Sequence, residues 1–412
     1  MTSRERVLTA LNHREPDQVP MDFGATTCTS PTRVACRNLR EHLGLPPEAV
    51  PVMTDRIMDT VLPANDLLRR YQSDFRTVRM KAPLVNRERE MGDGSFYDEY
   101  GVRWQQISYY YDAVERPLAG LGVADLDRVP WPDPHDPGRT AGLREEAQAL
   151  VRDTDFAIVA DIMCGGPFEQ ACVLRGYDQF CMDLCLDEPF AEALLDKITD
   201  LDIALWDHYL DAVGDLVHVV CQGDDFAMQT GLYISPEMYR RFIKPRQKRI
   251  FDFVHSRTRA KVFLHCCGSV YDAIPDLIEI GVDILNPLQE SAAKMDLARL
   301  KREFGKDICF WGGGIDVQQV LPFASLSKIE DEVKRTMDTL APGGGFVFFP
   351  SHNIQADVTP DRLDKVFTTA LARRAHSRPA SQPSGAAVES VARTPVETNR
   401  TVEAVRLFEQ KS

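Results

Sequence analysis

A histidine and two cysteines directly follow an apolar, strand-like segment in the stretch KVFLHCCGSVYD, which runs from Lys261 to Asp272. Because side chains alternate between the two faces of a strand, His265 and Cys267 share one face and Cys266 points to the other. Imidazole and thiolate are ligands that zinc prefers. The pattern therefore predicts that His265 and Cys267 bind one metal ion together, and that Cys266 is a small buried residue.

A zinc site needs at least a third protein ligand, and four residues elsewhere in the chain are candidates: Cys164, Cys221, Cys309 and His352. Cys221 precedes the polar end of its strand and Cys309 lies in the middle of one, which favours a place in the core for both. His352 follows the last apolar strand, at the level of the His/Cys pair. It is the predicted third ligand, with Cys164 as the alternative. The competing interpretation of the pair is a core histidine beside a buried thiol.

These residues need a scaffold that gathers strand ends, and the pattern from residue 155 onward predicts one. Apolar strands alternate with amphipathic helices in six successive units, with further β-structure upstream. Strands that are apolar throughout indicate a parallel sheet buried on both faces. We predict an α/β protein, a (β/α)8 TIM barrel with an elaborated N-terminal region. A doubly wound open sheet is the alternative, but no GxGxxG or GxxxxGK[ST] loop follows any strand.

The two ends of the chain differ from this alternating pattern. Thr2 and Glu5 have the spacing of a capping box that opens a first helix. The segment DGSFYDEYGVRWQQIS has the aromatic residues and the glycine turn of a hairpin. After about residue 376 the chain is rich in Ser, Pro, Ala and Thr. We predict a barrel domain over residues 1–375 and a disordered tail over residues 376–412.

Polar or glycine residues close each of the clean strands, and in a parallel barrel these ends form the rim that carries the active site. Asp224 and Asp225 are predicted catalytic groups, which bind substrate, orient a metal ligand or move a proton, unless one of them caps the following segment. Glu169, in the stretch GGPFEQA, is the third predicted catalytic residue and either faces the pocket or caps a helix. Asp22, Gln289 and Asn353 are predicted to bind substrate.

Composition and charge exclude several classes of protein. The net charge is −14 and no basic run is interleaved with aromatic residues, so we expect no nucleic-acid partner. No run of about 18 apolar residues is present, so we expect no membrane span. The N-terminus lacks the apolar region of a signal peptide, which predicts a cytoplasmic protein. The oligomeric state stays open, and a homodimer is one alternative.

Five stretches together resemble the uroporphyrinogen decarboxylase superfamily, in particular its branch of methylcobalamin:coenzyme M methyltransferases. These stretches are SRERVLTALNHREPDQVPMDFG, QGDDFAMQTGLYISPEMYRRFIKP, HCCGSVYDAIPDLIEIGVDILNPLQ, FWGGGIDVQQVLP and GGGFVFFPSHNIQADVTPDRL. The resemblance implies a barrel with its site at the C-terminal mouth. In the methyltransferase branch it implies a zinc ion held by an H-x-C pair and a later cysteine. His265 and Cys267 match the pair, and His352 stands in place of the later cysteine.

The decarboxylase branch of this superfamily holds the carboxylates of its substrate with an N-terminal stretch rich in arginine. Here that segment reads PMDFGATTCTSP, and no arginine lies between Arg14 and Arg33. A porphyrinogen carries many carboxylates and needs cationic groups to bind them. The absence of arginine from this segment argues against that substrate.

The predicted function is that of a zinc-dependent methyltransferase acting on a small methylated substrate or a methyl-corrinoid, for example as an O-demethylase component. The corrinoid would be carried by a separate partner protein, since the chain shows no corrinoid-binding module of its own. Two alternatives stay open. One is a metal-independent decarboxylase or lyase of the uroporphyrinogen decarboxylase type, and the other is a non-catalytic binder of a tetrapyrrole or corrinoid.

Overall fold

The computed structural model describes residues 1–48, 50–85, 88–161 and 165–374. Within these ranges the α-helices are α1 (Ser3–Leu11), α2 (Arg33–His42), α3 (Asn65–Arg70), α4 (Leu143–Asp153), α5 (Pro167–Arg175), α6 (Tyr177–Leu186), α7 (Glu188–Val213), α8 (Pro236–Met238), α9 (Lys244–Arg257), α10 (Ile274–Glu279), α11 (Leu297–Phe304), α12 (Leu326–Leu340) and α13 (Pro360–Arg374). The strands are β1 (Val52–Asp55), β2 (Thr60–Leu62), β3 (Phe75–Val78), β4 (Arg89–Glu90), β5 (Phe96–Tyr97), β6 (Arg103–Gln106), β7 (Tyr111–Glu115), β8 (Ala157–Ala160), β9 (Val219–Gly223), β10 (Ala227–Met228), β11 (Gly231–Leu232), β12 (Lys261–His265), β13 (Ile284–Asn286), β14 (Cys309–Trp311) and β15 (Phe346–Val347).

Seven of these strands form one parallel sheet in the order β15-β14-β13-β12-β9-β8-β3. The segment 20–22 lies between its two edge strands. Met21 forms a parallel bridge with Phe348, next to β15, and the Asp74 N–H, next to β3, donates to the Met21 carbonyl at 2.8 Å. The sheet is therefore closed, which confirms the predicted (β/α)8 TIM barrel. Its first strand is reduced to a single bridge.

The apolar strands are buried on both faces, as a parallel barrel requires. In β12, Val262, Phe263 and Leu264 are each at most 1% exposed. The Phe263 ring packs edge-on against Trp311 of β14, with 5.2 Å between ring centroids, and Phe75 of β3 packs against the same indole at 4.5 Å. Aromatic side chains from three strands thus pack against one another in the barrel interior.

The N-terminal elaboration consists of two antiparallel sheets and short helices. The capping box of Thr2 and Glu5 opens α1 as predicted. The predicted hairpin is present as β5 paired with β6, within a four-stranded antiparallel sheet of order β4-β5-β6-β7. No helix among the described residues is long and apolar enough to cross a lipid bilayer. The predicted disordered tail, residues 376–412, and the candidate ligand Cys164 lie outside the described residues.

A buried carboxylate holds the closing segment of the barrel in place. Asp74, 1% exposed, accepts hydrogen bonds from the Met21 N–H at 2.9 Å and from the Ser3 hydroxyl at 2.6 Å. It also forms ion pairs with Arg6 of α1 at 2.7 Å and with Arg374 of α13 at 3.0 Å. One side chain before β3 therefore joins the first helix, the first strand and the last helix.

Replacing Asp74 with alanine is expected to lower the free energy of unfolding by about 3–5 kcal/mol, because the change leaves the buried Arg374 without its carboxylate. Asp17→Ala is the matched control, since Asp17 pairs with the same Arg6 but is 37% exposed. The control should lower the free energy of unfolding by less than about 1 kcal/mol. Urea unfolding followed by circular dichroism measures both variants. Equal losses would show that the closure does not depend on the buried carboxylate.

Candidate metal centre

The turn after β12 brings Cys267 towards the mouth of the barrel. The Cys267 N–H donates to Asp225 Oδ1 at 2.8 Å, and the Gly268 N–H donates to Gln289 Oε1 at 2.8 Å. Gly268 has φ +86°, and a Cβ there would lie 2.7 Å from the Met228 carbonyl oxygen, so this turn requires glycine. Cys266 is buried on the opposite side and accepts the Phe226 N–H, as its predicted place in the core requires.

Neighbouring strands orient the His265 ring. Asn286 Nδ2 donates to the Trp311 carbonyl at 2.8 Å, and because a carbonyl only accepts, Asn286 Oδ1 must face His265. His265 Nδ1 lies 2.6 Å from that oxygen and therefore carries the proton. Its Nε2 then presents a lone pair towards Cys267, whose Sγ lies 3.4 Å away. A hydrogen bond of this kind from the remote ring nitrogen is typical of histidine ligands to metals.

His352 joins the pair from the segment that follows β15. Its Nδ1 forms a short hydrogen bond to Asn353 Oδ1, which leaves Nε2 as the nitrogen with a free lone pair. Asn353 Oδ1 also accepts from the Tyr110 hydroxyl at 3.1 Å and from Gln355 Nε2 at 3.1 Å. The rings of His352 and His265 pack edge-on with 5.3 Å between their centroids. An asparagine amide thus orients each of the two imidazoles.

Ligand atoms of His265, Cys267 and His352 all lie within 4.8 Å of one another. Donors on one tetrahedral zinc ion are about 3.3–3.8 Å apart, given zinc–nitrogen and zinc–sulfur bonds of about 2.0–2.3 Å. Small movements of the side chains would therefore suffice for all three to bind one ion. Three protein ligands leave a fourth position for a substrate atom. The donor set and its spacing fit zinc.

The protonation states of these groups also suit a metal site. Burial, together with the nearby His265, lowers the pKa of His352 to about 4, so the imidazole is neutral at physiological pH. Burial raises the pKa of the Cys267 thiol well above its ordinary value, and the charge of Asp225 raises it further. A bound cation reverses this effect on a thiol, because it stabilises the thiolate.

The family model for uroporphyrinogen decarboxylase (URO-D) matches residues 113–372, more than half of the chain and all of the strands that carry these ligands. The chain belongs to the uroporphyrinogen decarboxylase family.

Members of the family and solved structures resemble this protein at low sequence identity. Uroporphyrinogen decarboxylases from Citrifermentans bemidjiense and from Geobacter sp. strain M21 are each 23% identical over 319 residues, which cover 71% of this chain and 88% of theirs. The structure of a methyltransferase from Methanosarcina mazei superposes with a TM-score of 0.59 at 19% identity, and covers 90% of this chain and 99% of that one. This structural likeness shows a shared fold.

The paired carboxylates of this uroporphyrinogen decarboxylase family member have different environments. Asp224 is buried, and its Oδ1 accepts the N–H groups of Phe168 and Glu169 at 3.0 and 2.9 Å, while its Oδ2 accepts from Gln247 at 2.8 Å. It thus caps the upstream helix α5, rather than the segment that follows it in sequence. Burial raises the pKa of Asp224 to about 7. Asp225 faces the metal cluster, with its Oδ1 3.9 Å from His265 Nε2.

Glu169 lies in the first turn of α5, beside this pair. Its Oε2 accepts the Asp225 N–H at 3.3 Å. Burial raises the pKa of Glu169 well above its ordinary value, and the charges of Asp225 and Asp224 raise it further. The carboxyl group therefore keeps its proton to higher pH than an exposed glutamate does. That Asp224, Asp225 and Glu169 take part in catalysis stays a prediction.

The three residues predicted to bind substrate all form hydrogen bonds within the protein. Asp22 Oδ1 accepts the Ala25 N–H at 2.8 Å and its Oδ2 accepts from Trp311 Nε1 at 2.9 Å. Gln289 holds the turn after Cys267 and Asn353 orients His352, as described above. Asp22 and Asn353 are fully buried, and Gln289 is 8% exposed. Their contact with a substrate stays a prediction.

Sequence reasoning missed two groups that shape the site and undervalued a third. Asn286 was visible as a polar strand end, and its role follows from the parallel register that pairs it with His265. Arg79, directly after β3, forms a short ion pair with Asp161 at the rim. It would have been found by applying the strand-end rule to β3. Tyr110 lies in a run of three tyrosines, in the turn between β6 and β7, where nothing in the sequence signals a contact with Asn353.

In metal-free protein, His265 is expected to be the tautomer with its proton on Nδ1, because Asn286 Oδ1 accepts that proton. Two-bond 1H–15N correlation spectra of protein labelled with 15N-histidine distinguish the tautomers. Asn286→Ala should convert the single His265 tautomer into a mixture, while the exposed-surface control Asn12→Ala leaves it unchanged. A proton on Nε2 in the wild type would contradict this orientation.

Glu169→Gln is expected to make stability less sensitive to pH. In the unfolded chain Glu169 releases its proton near pH 4.5, but in the folded protein it keeps the proton to higher pH. The unfolded state therefore binds fewer protons in this window, and wild-type stability falls as pH rises by at most about 1.4 kcal/mol per pH unit. Urea unfolding of chelator-treated protein at pH 5 and pH 8 tests this. Parallel pH dependence in both proteins would contradict a raised pKa of Glu169.

Proposed function

We propose that this protein is a zinc-dependent methyltransferase that acts on a small methylated substrate or a methyl-corrinoid. The observation that carries the proposal is the convergence of His265, Cys267 and His352 at the barrel mouth, with donor atoms within 4.8 Å of one another. Both imidazoles are oriented by amide oxygens so that each presents an unprotonated nitrogen. A histidine and a thiol without a metal role would not need this orientation.

The composition of the ligand set favours an oxygen-type substrate. Two neutral imidazoles and one thiolate would leave a divalent zinc ion with a net charge of +1, whereas one imidazole and two thiolates would leave it neutral. Zinc held by this set supplies Lewis acidity to an atom in the open fourth position. We therefore infer that His352 shifts the enzyme from thiol activation towards methyl-ether cleavage.

Acidic groups around the mouth favour a substrate with few carboxylates. The charge of Asp225 raises the pKa of Cys267, and the charge of Asp55 raises the pKa of both Glu169 and Tyr110. Arg79, a positive group at this rim, is already paired with Asp161. A tetrapyrrole would bring several carboxylates against these acids, at a cost in repulsion and desolvation. A neutral methyl ether meets no such penalty.

The protein's own groups have distinct tasks in this proposal. Asn286 and Asn353 hold the two imidazoles, and Asp225 holds the backbone turn that carries Cys267. Glu169, whose pKa is raised by burial and by its acidic neighbours, supplies the proton that the departing oxygen takes as the methyl group leaves it. The methyl group passes to a corrinoid that a separate protein carries.

A metal-independent decarboxylase is the second candidate, favoured by the names of the curated relatives from Citrifermentans bemidjiense and Geobacter. It would use the carboxyl groups of Asp224, Asp225 and Glu169 without His352 or Cys267. The two candidates differ in one measurable property, because a decarboxylase of this kind keeps its activity after chelation.

The deciding experiment is elemental analysis of the purified full-length protein, beside Cys267→Ser and His352→Ala. We expect one zinc ion per chain in the wild type and a large loss in both variants, because two remaining ligands hold zinc poorly. Cys185→Ser and His42→Ala are matched controls, since both residues are exposed and far from the cluster in sequence. Both controls should keep their zinc.

Turnover of methyl ethers with a corrinoid protein as acceptor then tests the reaction. The wild type should lose this activity on chelation and regain it with zinc, while Glu169→Gln keeps its zinc but turns over more slowly. Absence of zinc after reconstitution, with decarboxylation that survives chelation, would overturn the proposal in favour of the lyase. Methylation of thiols alone would overturn the assignment of an oxygen-type substrate.

A further inference from the structure

A second cluster of charged groups lies at the N-terminal end of the barrel, away from the metal centre. Four arginines, Arg6, Arg69, Arg76 and Arg374, line a cleft of about 280 Å³ together with Asp74. The cleft opens where β3 and β8 begin, whereas His265 is the last residue of β12 and His352 follows the end of β15. We call this region the arginine cleft.

Positive charge exceeds negative charge in the arginine cleft. Arg6 pairs with Asp17 and Asp74, and Arg374 pairs with Asp74. Among the described residues, no carboxylate forms an ion pair with Arg69 or Arg76. Four guanidinium groups thus face two carboxylates, an excess of two positive charges in a chain whose net charge is −14. Such a local reversal of sign is the electrostatic signature of a site for an anion.

Arg76 is held in place although no anion neutralises it. Its guanidinium lies over the Phe156 ring, 3.7 Å from the centroid, and one nitrogen donates to the Phe75 carbonyl at 2.5 Å. Burial lowers the pKa of Arg76 to about 10, and the positive charge of Arg69 adds to that effect. Stacking on an aromatic face fixes the plane of a guanidinium and leaves its other N–H groups to bind an anion in the same plane.

Arg374 adds an unused donor to the arginine cleft. The residue is 3% exposed, and two of its nitrogens bind Gln72 and Asp74. Its Nε–H has no hydrogen-bond partner among the described residues. A buried donor without a partner is costly, and an acceptor oxygen from a ligand would remove that cost.

We propose that the arginine cleft binds a phosphate dianion, either free or as the phosphate group of a small monoester. A dianion matches the excess of two positive charges, and its oxygens can accept from the planar donor arrays of Arg69 and Arg76. The fold supplies this site independently of the metal centre, so the inference does not rest on the proposed methyltransferase activity.

Titration of the full-length protein with inorganic phosphate and with glycerol phosphate, followed by calorimetry and 31P NMR, tests the inference. We expect saturable binding to the wild type, weakened at least about tenfold in both Arg69→Ala and Arg76→Ala, since each variant loses a charged hydrogen bond. Arg302→Ala, an exposed arginine on α11, is the matched control and should bind like the wild type. Cys267→Ser should also bind like the wild type, which separates this site from the metal centre.

The variant Arg76→Lys distinguishes a loss of binding from a loss of structure, because lysine keeps the positive charge but lacks the planar donors of the guanidinium. It should bind phosphate more weakly than the wild type and more tightly than Arg76→Ala, with an unchanged circular dichroism spectrum. Three results would each overturn the inference: no saturable binding to the wild type, binding that survives the Arg69→Ala and Arg76→Ala double change, or binding lost in Cys267→Ser. Tighter binding of malonate than of either phosphate would overturn the assignment of a phosphate ligand. A preference between the two phosphates identifies the source of the dianion.

Discussion

Closure of the barrel depends on the buried carboxylate of Asp74. The closing segment 20–22 contributes only a single bridge to the sheet, so the ladder of backbone hydrogen bonds is at its weakest there. Asp74 compensates by binding the Met21 N–H and the side chains of Arg6 and Arg374. The rim is a ring only if this seam holds, and the segment that carries His352 follows β15, the strand beside the seam. A contact at the bottom of the barrel therefore supports the geometry at its top.

The candidate metal centre is built from neutral groups in a setting that favours a cation. Asn286 and Asn353 hold the two imidazoles in the same tautomer. Burial and the charge of Asp225 raise the pKa of the Cys267 thiol, which favours its protonated form. The acidic side chain of Asp225 lies beside His265, and Glu169 lies beside Asp225. Burying neutral ligands costs less than burying charged ones, and a divalent ion is attracted by the neighbouring carboxylate.

Strand β3 illustrates how the barrel separates charges between its two ends. Arg79, just beyond its C-terminal end, is neutralised by Asp161 at the acidic mouth. Arg76, near its N-terminal end, stacks on Phe156 and lies beside further arginines. The buried aromatic side chains around Trp311 lie between the two ends of the barrel. The proposed cation at the mouth and the proposed anion at the arginine cleft would thus each meet protein groups of the opposite charge.

The sequence by itself determined the barrel, the level of its strand ends, and the sharing of one face by His265 and Cys267. These properties follow from local periodicity, since apolar runs and alternating side chains are encoded by neighbouring residues. The tertiary structure decided which distant groups meet: that His352 joins the pair, that Asn286 fixes the tautomer of His265, and that Asp224 caps α5. It also assembled the arginine cleft from helices and strands far apart in the chain. Such contacts depend on the register between strands and on the closure of the ring, which no local pattern records.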